Sequence, residues 1–303
     1  MRRSHGFTLL EVLVALLLTG IIFAAFLQVF TGTLQQSSQV SAKSELLKEG
    51  QIALQVMASR LQEACYVYPP QSTLQLANSG YTTKNPIKGN YQWTVGTDPI
   101  VAMVLPPEVP GNTDNCDNNN TQFCYRFYAY YPILRSDYTS SADNDINIGA
   151  DGGNDNQTWV LMQYLRYFTN GQTPTIAATR IPATCSNLVN NNITPTDLQG
   201  GVAALLTDYV QPSTTTPTYS LFTYPLIPST ATPSTTPSMV VNSFERNPGW
   251  NNTPSTSSAT SVTLNLRMLR NMRGQTLRAT GQDTNVGNPL SIEVSPRNLM
   301  VLQ

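Results

Sequence analysis

The sequence has 303 residues, of which 40% are hydrophobic and only 12% are charged, and its formal net charge is −1. This apolar content is ordinary for a folded protein and argues against global disorder. The near-zero charge provides no overall field that would attract nucleic acid. The single histidine is His5, so a chain without its first residues has no imidazole for Ser-His-Asp or Cys-His catalysis or for a histidine metal site.

The N-terminus combines a short basic segment with a long apolar one. Met1–Gly6 is basic, and Phe7–Phe30 is almost wholly apolar with Glu11 as its only charge. As a helix, this apolar stretch spans roughly 36 Å, enough to cross a bilayer. A secretory signal peptide would place an Ala-x-Ala-like cleavage site after the apolar core, but here the core runs into Gln28-Val29-Phe30-Thr31 and no Ala-x-Ala occurs there. A plain membrane anchor would not favour Glu11, because an acidic residue costs about 2.5–3.5 kcal/mol near the centre of a spanning helix.

The run Gly-Phe-Thr-Leu-Leu-Glu, from Gly6 to Glu11, resembles the prepilin peptidase site of type IV pilins and type II secretion pseudopilins. The resemblance implies cleavage between Gly6 and Phe7, N-methylation of Phe7, and a role in assembly for Glu11. It implies three partners: prepilin peptidase, the inner membrane and other pilin or pseudopilin subunits. It also implies an inner-membrane precursor that later joins a periplasmic or cell-surface filament. An unpaired carboxylate among apolar helices is costly, and the new amine of Phe7 is a matching cation for Glu11.

An apolar stripe predicts that the helix continues beyond the membrane. Leu47, Leu54 and Leu61 recur every seven residues, and no proline appears before Pro69. A coiled coil is the weaker alternative, because the repeat covers only three heptads. We expect a leader over 1–6, a transmembrane and filament-core helix over 7–30, its amphipathic continuation over 31–65, and a β-rich periplasmic or extracellular domain over 66–303. The glycines of this helix are the expected bends: Gly20, Gly32 and Gly50.

Beyond Pro70 the pattern changes to short runs typical of strands. Together they predict an α+β, pilin-like fold, with the long N-terminal helix packed on an antiparallel sheet that carries long loop insertions. Gly201–Tyr209 fits either a short helix or a strand. The predicted strands are Tyr91–Val95, Ile100–Leu105, Phe123–Tyr131, Trp159–Phe168, Tyr219–Tyr224, Ser261–Leu269, Leu290–Val294 and Leu299–Leu302.

Polar insertions interrupt these runs and are predicted to be exposed loops, with O-glycosylation possible in the Ser/Thr/Pro-rich ones. Such loops either carry a binding function or have none, and the sequence leaves both readings open. The insertions are Gly111–Gln122, Ser136–Gln157, Gln211–Thr218, Pro228–Ser238 and Asn251–Ser261.

Four cysteines in an exported protein favour disulfides. Cys116 and Cys124 are eight residues apart, and a bridge between them would contribute about 2.5 kcal/mol through loop-closure entropy. Cys65 would then pair with Cys185, for roughly 5 kcal/mol on the same basis. Free buried thiols are the alternative. A four-cysteine zinc site is disfavoured, because no Cys-x-x-Cys pair is present.

An acidic stretch resembles a calcium loop, with candidate ligands Asp143, Asp145, Asn147 and Asp151. Gly149 is one place late for the EF-hand pattern and no glutamate stands at the twelfth position. We therefore favour a solvated acidic loop and expect no cofactor.

A cluster of arginines on a predicted hairpin is a candidate for phosphate contacts with DNA: Arg267, Arg270, Arg273 and Arg278. Four arginines are more typical of a solvated edge that discourages strand addition, and we favour that interpretation.

The C-terminal part, with Ser261–Leu269, a turn around Asn271–Gly274 and Leu290–Val294, resembles larger minor pilins of the PilW type and J-type pseudopilins. The resemblance implies a minor pilin that acts in assembly or at the tip of a type IV pilus. The alternatives are a type II secretion pseudopilin, which would contact secreted proteins, and a tip adhesin or DNA-uptake receptor, which would bind a surface ligand or DNA. No acid/base pair stands out, so we expect no enzyme.

Overall fold

The computed structural model describes residues 8–109, 116–141, 147–168, 198–214, 219–224, 261–272, 275–279 and 289–296. The chain divides into two units, Met1–Glu45 and Leu46–Gln303. One long helix, α1 (Leu9–Glu63), contributes to both, and the second unit contains the sheets.

The first unit contains the apolar part of α1. Its large hydrophobic side chains are exposed, from Leu9 through Phe30, and by length and composition this helix is able to cross a membrane. Threonine hydroxyls in this part bond to the helix backbone: Thr19 Oγ1 donates to Ala15 O at 2.8 Å and Thr33 Oγ1 donates to Val29 O at 2.9 Å. Such back-bonding removes the cost of a bare hydroxyl in hydrocarbon.

The second unit begins with the amphipathic end of α1. The buried residues recur at intervals of three and four, as expected for one face of a helix; they are Leu46, Gly50, Ala53, Leu54, Met57, Ala58, Leu61 and Ala64. The predicted stripe is confirmed at Leu54 and Leu61, which are buried. Leu47 is only half-buried, and its neighbour Leu46 is buried instead. Met57 and Ala58, which lie between the leucines of the stripe, are buried as well, whereas the sequence pattern did not include Gly50, Ala53 and Ala64.

Gly50 is a point of close approach in the structure. A Cβ added there would lie 3.0 Å from Leu290 Cδ1 and 3.1 Å from Met268 Cγ, whereas Gly20 and Gly32 have nothing within 4 Å. Gly50 is therefore a packing residue, which the interpretation as a bend point missed.

Three antiparallel sheets form among the described residues. Their strands are β1 (Tyr66–Val67), β2 (Thr73–Gln75), β3 (Gln92–Thr94), β4 (Val101–Leu105), β5 (Arg126–Leu134), β6 (Trp159–Tyr167), β7 (Val202–Val210), β8 (Phe222–Thr223), β9 (Val262–Leu266), β10 (Met268–Met272), β11 (Gln275–Ala279) and β12 (Leu290–Val294). The largest sheet has seven strands in the order β1-β4-β5-β6-β7-β10-β11, a second has the order β12-β9-β8, and the third pairs β2 with β3.

The predicted α+β architecture is thus confirmed, and the strands β1, β2 and β11 were not among those predicted. Gly201–Tyr209 forms a strand, β7. The run Ser261–Leu269 splits at Arg267 into β9 and β10, which belong to different sheets. Tyr219–Tyr224 contains only a two-residue strand, and Leu299–Leu302 lies outside the described residues.

The core lies between the end of α1 and the central strands. β4 is buried at all five positions and β5 at eight of nine. Because both faces of these strands are covered, most of their side chains are apolar or aromatic. Aromatic rings cross the sheet: Tyr68, which follows β1, meets Phe127 of β5 edge-on at 5.6 Å, and Phe127 meets Tyr164 of β6 at 6.0 Å. The helix contacts the same sheet through Arg60, whose guanidinium lies over the Tyr128 ring at 5.5 Å.

Candidate processing and assembly site

The first turn of α1 closes with a reciprocal cap between Thr8 and Glu11. Thr8 N–H donates to Glu11 Oε2 at 2.9 Å, and Glu11 N–H donates to Thr8 Oγ1 at 3.3 Å. The Thr8 hydroxyl also donates to Oε2 at 3.0 Å. This is a capping box, in which the side chain of each residue accepts a hydrogen bond from the other residue's backbone N–H, a group that has no partner within the helix.

The capping box gives Glu11 a local role that the sequence analysis missed. The Thr-x-x-Glu spacing ahead of an apolar run is its signature and was present in the sequence. Gly6 and Phe7, the residues of the predicted cleavage site, lie outside the described residues. In sequence, that cleavage site immediately precedes the cap residue Thr8, so the bond to be cut falls ahead of the first helical residue, Leu9.

A disulfide joins Cys116 to Cys124, with a Cα–Cα distance of 4.9 Å. Both residues are fully buried, and Cys116 Sγ lies 3.1 Å from Phe168 O. Cys65, two residues after the end of α1, also belongs to a disulfide. Its Sγ lies 3.4 Å from Val104 O on β4. Its predicted partner, Cys185, lies outside the described residues.

The described parts of the acidic insertion Ser136–Gln157 pack around a buried arginine, which corrects the prediction of a solvated loop for those parts. Arg135 begins a short helix, α2 (Arg135–Ser141), and its side chain is only 1% exposed. Its guanidinium pairs with Asp155 and, through Nε at 3.0 Å, with Asp208 on β7. Burial alone would lower the Arg135 pKa, but the bonds to these carboxylates raise it above its ordinary value, so the side chain stays charged.

A bulge in β7 presents the other half of this cluster. Tyr209 has φ of 56°, in the left-handed region that costs a non-glycine residue energy. Two guanidinium groups lie over its ring, Arg135 at 5.0 Å and Arg270 at 4.5 Å, and its hydroxyl donates to Asp151 Oδ2 at 3.2 Å. The strained residue is thus held by a hydrogen bond from its hydroxyl and by two cation–π contacts to its ring.

The calcium candidates fall partly within this cluster. Asp143 and Asp145 lie outside the described residues. Asn147 Nδ2 donates to Thr139 O at 2.9 Å, and Asp151 Oδ2 accepts from Asn154 Nδ2 at 2.8 Å. The two described candidates therefore bond within the protein, and no metal-binding group of three or more ligands occurs among the described residues.

The candidate DNA-binding arginines do not form one exposed set. Arg267 is buried and stacks on Tyr219 at 4.9 Å, and Arg270 stacks on Tyr209. Arg278 lies on β11, paired with Leu269, and Arg273 lies outside the described residues. The interpretation of these arginines as a uniformly solvated edge is therefore wrong for Arg267.

Comparison with known proteins identifies the N-terminus. Residues 1–27 match the family described as the prokaryotic N-terminal methylation motif. No curated protein matches the chain, and no solved structure does so. The motif and the apolar helix fit a membrane-anchored precursor. The chain thus carries a prepilin-type N-terminal motif, which supports a type IV pilin or pseudopilin processed by prepilin peptidase, on a body consistent with the pilin fold.

Proposed function

We propose that this protein is a minor pilin, a structural subunit that acts in the assembly or at the tip of a type IV pilus, and that it has no enzymatic activity. The observation that carries the proposal is the capped carboxylate of Glu11 at the start of an exposed apolar helix, inside a prepilin-type motif. A helix of this kind buries its apolar surface first in lipid and then against the helices of neighbouring subunits.

The capping box explains how an acidic residue is tolerated at this position. Both donors of Thr8 bond to the same oxygen of Glu11, Oε2. A carboxylate accepts more hydrogen bonds than these two, so it retains capacity for the α-amino group that cleavage creates on Phe7. Pairing with the amine of an incoming or preceding subunit lowers the cost of burying either charge among apolar helices.

The finer assignment rests on size and on the C-terminal resemblance. A body of more than two hundred residues with long insertions suits a low-copy subunit. The alternative is a type II secretion pseudopilin, because the N-terminal motif is common to both classes. The genes adjacent to this one would discriminate between them: pilus assembly genes favour the first and secretion genes the second.

Processing is tested at the N-terminus of the protein purified from its native cells. Mass spectrometry is expected to find a first residue of N-methylated Phe7. A chain that retains Met1, or one that begins after Phe30, would refute the proposal.

Assembly is tested by separating the charge of Glu11 from its capping role. Glu11→Gln keeps a side chain that completes a capping box but removes the negative charge, whereas Glu11→Ala removes both. We expect both variants to enter the membrane and to be nearly absent from sheared filaments. Thr8→Val is the matched control, because it removes the hydroxyl bond and keeps the charge. Normal recovery of Glu11→Gln in filaments would show that charge pairing is not required.

A further inference from the structure

The loop closed by the Cys116–Cys124 disulfide contains an acceptor tripeptide for N-linked sugars, Asn119-Asn120-Thr121. Asn119 is exposed and Thr121 is half-buried at the start of a single 3-10 turn. We propose that Asn119 is an N-glycosylation site, modified on the outer side of the membrane. The proposal rests on the proposed function, because only an exported body meets a glycosyl donor there.

Hydrogen bonds fix the backbone around Asn119, while the Asn119 side chain is exposed. Asp117 Oδ1 accepts the N–H groups of Asn119 at 2.7 Å and Asn120 at 2.8 Å. The Asn120 side chain is bound as well, since its Nδ2 donates to both carboxylate oxygens of Asp117 at 3.1 Å. With its neighbours fixed and the loop ends joined covalently, Asn119 is presented at the surface without unfolding of the body.

A second tripeptide provides an internal comparison. Asn156-Gln157-Thr158 has the same pattern and Asn156 is exposed, but Thr158 is fully buried. The Thr158 hydroxyl donates to Asn154 O at 3.0 Å. A transferase recognises the hydroxyl of the third residue together with the asparagine, so Asn156 is not an acceptor in the folded protein. Two further tripeptides, at Asn192 and Asn251, lie outside the described residues.

The reaction needs an activated sugar, namely an oligosaccharide linked to a lipid pyrophosphate. The side-chain nitrogen of Asn119 attacks the anomeric carbon, a C–N bond forms, and the bond from that carbon to the phosphate oxygen breaks. The lipid pyrophosphate leaves with the bonding electrons, and the amide loses one proton to a base of the transferase. No oxidation or reduction takes place.

Mass spectrometry of the full chain from its native cells tests the site. The peptide that spans residues 116–124 is expected to carry sugar mass localised on Asn119. The modification is expected to be lost in Asn119→Gln and Thr121→Val, and to be retained in Thr121→Ser, which keeps the hydroxyl. It is also expected to be retained in Asn156→Gln. In the wild type, the peptide that contains Asn156 is expected to carry no sugar.

The same digest separates this proposal from the proposed function. Methylated Phe7 together with unmodified Asn119 would overturn the glycosylation site but would agree with the proposed filament subunit. Sugar on Asn119 in a chain with an uncleaved N-terminus supports the site and contradicts pilin processing. Sugar on Asn156 instead of Asn119 would overturn the argument from the accessibility of the third residue.

Discussion

Replacing Arg135 by methionine is expected to destabilise the body of the protein strongly. The change keeps an unbranched side chain about as long as the aliphatic stem of arginine but removes the guanidinium that pairs with Asp155 and Asp208. Their side chains are only 15% and 14% exposed, so both carboxylates lose their cation where water does not replace it well. Removing one partner of a buried pair typically costs about 3–5 kcal/mol. We expect a loss of that order in the free energy of unfolding.

Arg60→Met is the matched control. Arg60 also makes one ion pair, with Glu63 at 3.2 Å, and also lies over a tyrosine ring, Tyr128 at 5.5 Å. Its side chain is 37% exposed and that of Glu63 is 46% exposed, so the pair is worth about 0–1 kcal/mol. The two variants therefore remove the same kinds of contact, but Arg135 is buried between two carboxylates whereas Arg60 is partly exposed beside one.

The assay is urea unfolding of the full chain in detergent micelles. Trp93 and Trp159 are buried in the second unit, so their fluorescence reports unfolding of the body and not of the apolar helix. The midpoint for Arg135→Met should fall well below that of the wild type, while Arg60→Met should shift it little. Equal shifts for both variants, or a loss below about 1 kcal/mol for Arg135→Met, would refute the argument from buried charge.

Three further outcomes are expected. Gly50→Leu should lower the free energy of urea unfolding by about 1–3 kcal/mol through overpacking, whereas Gly32→Leu, with open space around it, should not; equal effects would contradict the close approach. Burial raises the pKa of Tyr224 above the ordinary value of about 10, so its un-ionised form stabilises the fold below that pH and the contribution is lost as pH rises through it. Circular dichroism and tyrosine absorbance should therefore change together above about pH 10, and ionisation of all tyrosines before unfolding would disagree. A non-reducing peptide map should join Cys65 to Cys185, and four alkylatable thiols in folded protein would exclude any disulfide.

The sequence predicts the helix well because its signals are local and repeated. An uninterrupted apolar run and a heptad of leucines need no knowledge of partners, and the helix observed from Leu9 to Glu63 follows them. The strands from Gln92 to Tyr167 were also found, since each is a short apolar or aromatic run. The two-residue strand β1 was missed because two residues carry no period.

The buried cluster around Arg135 was not predictable in the same way. An Asp- and Gly-rich segment has the composition of a solvated loop, and nothing in its own residues shows that its acidic groups meet a distant cation. The partners of Arg135 lie 20 and 73 residues away along the chain. The strained conformation of Tyr209 depends on that same meeting, so it too appears only in three dimensions. The capping box, in contrast, was readable from four consecutive residues.

The connection between α1 and the sheet has no slack. The helix ends at Glu63 and β1 begins at Tyr66, so only Ala64 and Cys65 lie between them, and both are buried. Two residues reach at most about 7 Å when fully extended, and the Cys65 N–H already donates to Val104 O at 3.0 Å. Tension applied along the end of the helix therefore reaches the backbone of β4 without first straightening a linker. A flexible insertion at this junction would extend under force before any contact of the body breaks. The length of the junction therefore determines how directly force on the helix is transmitted to the sheet.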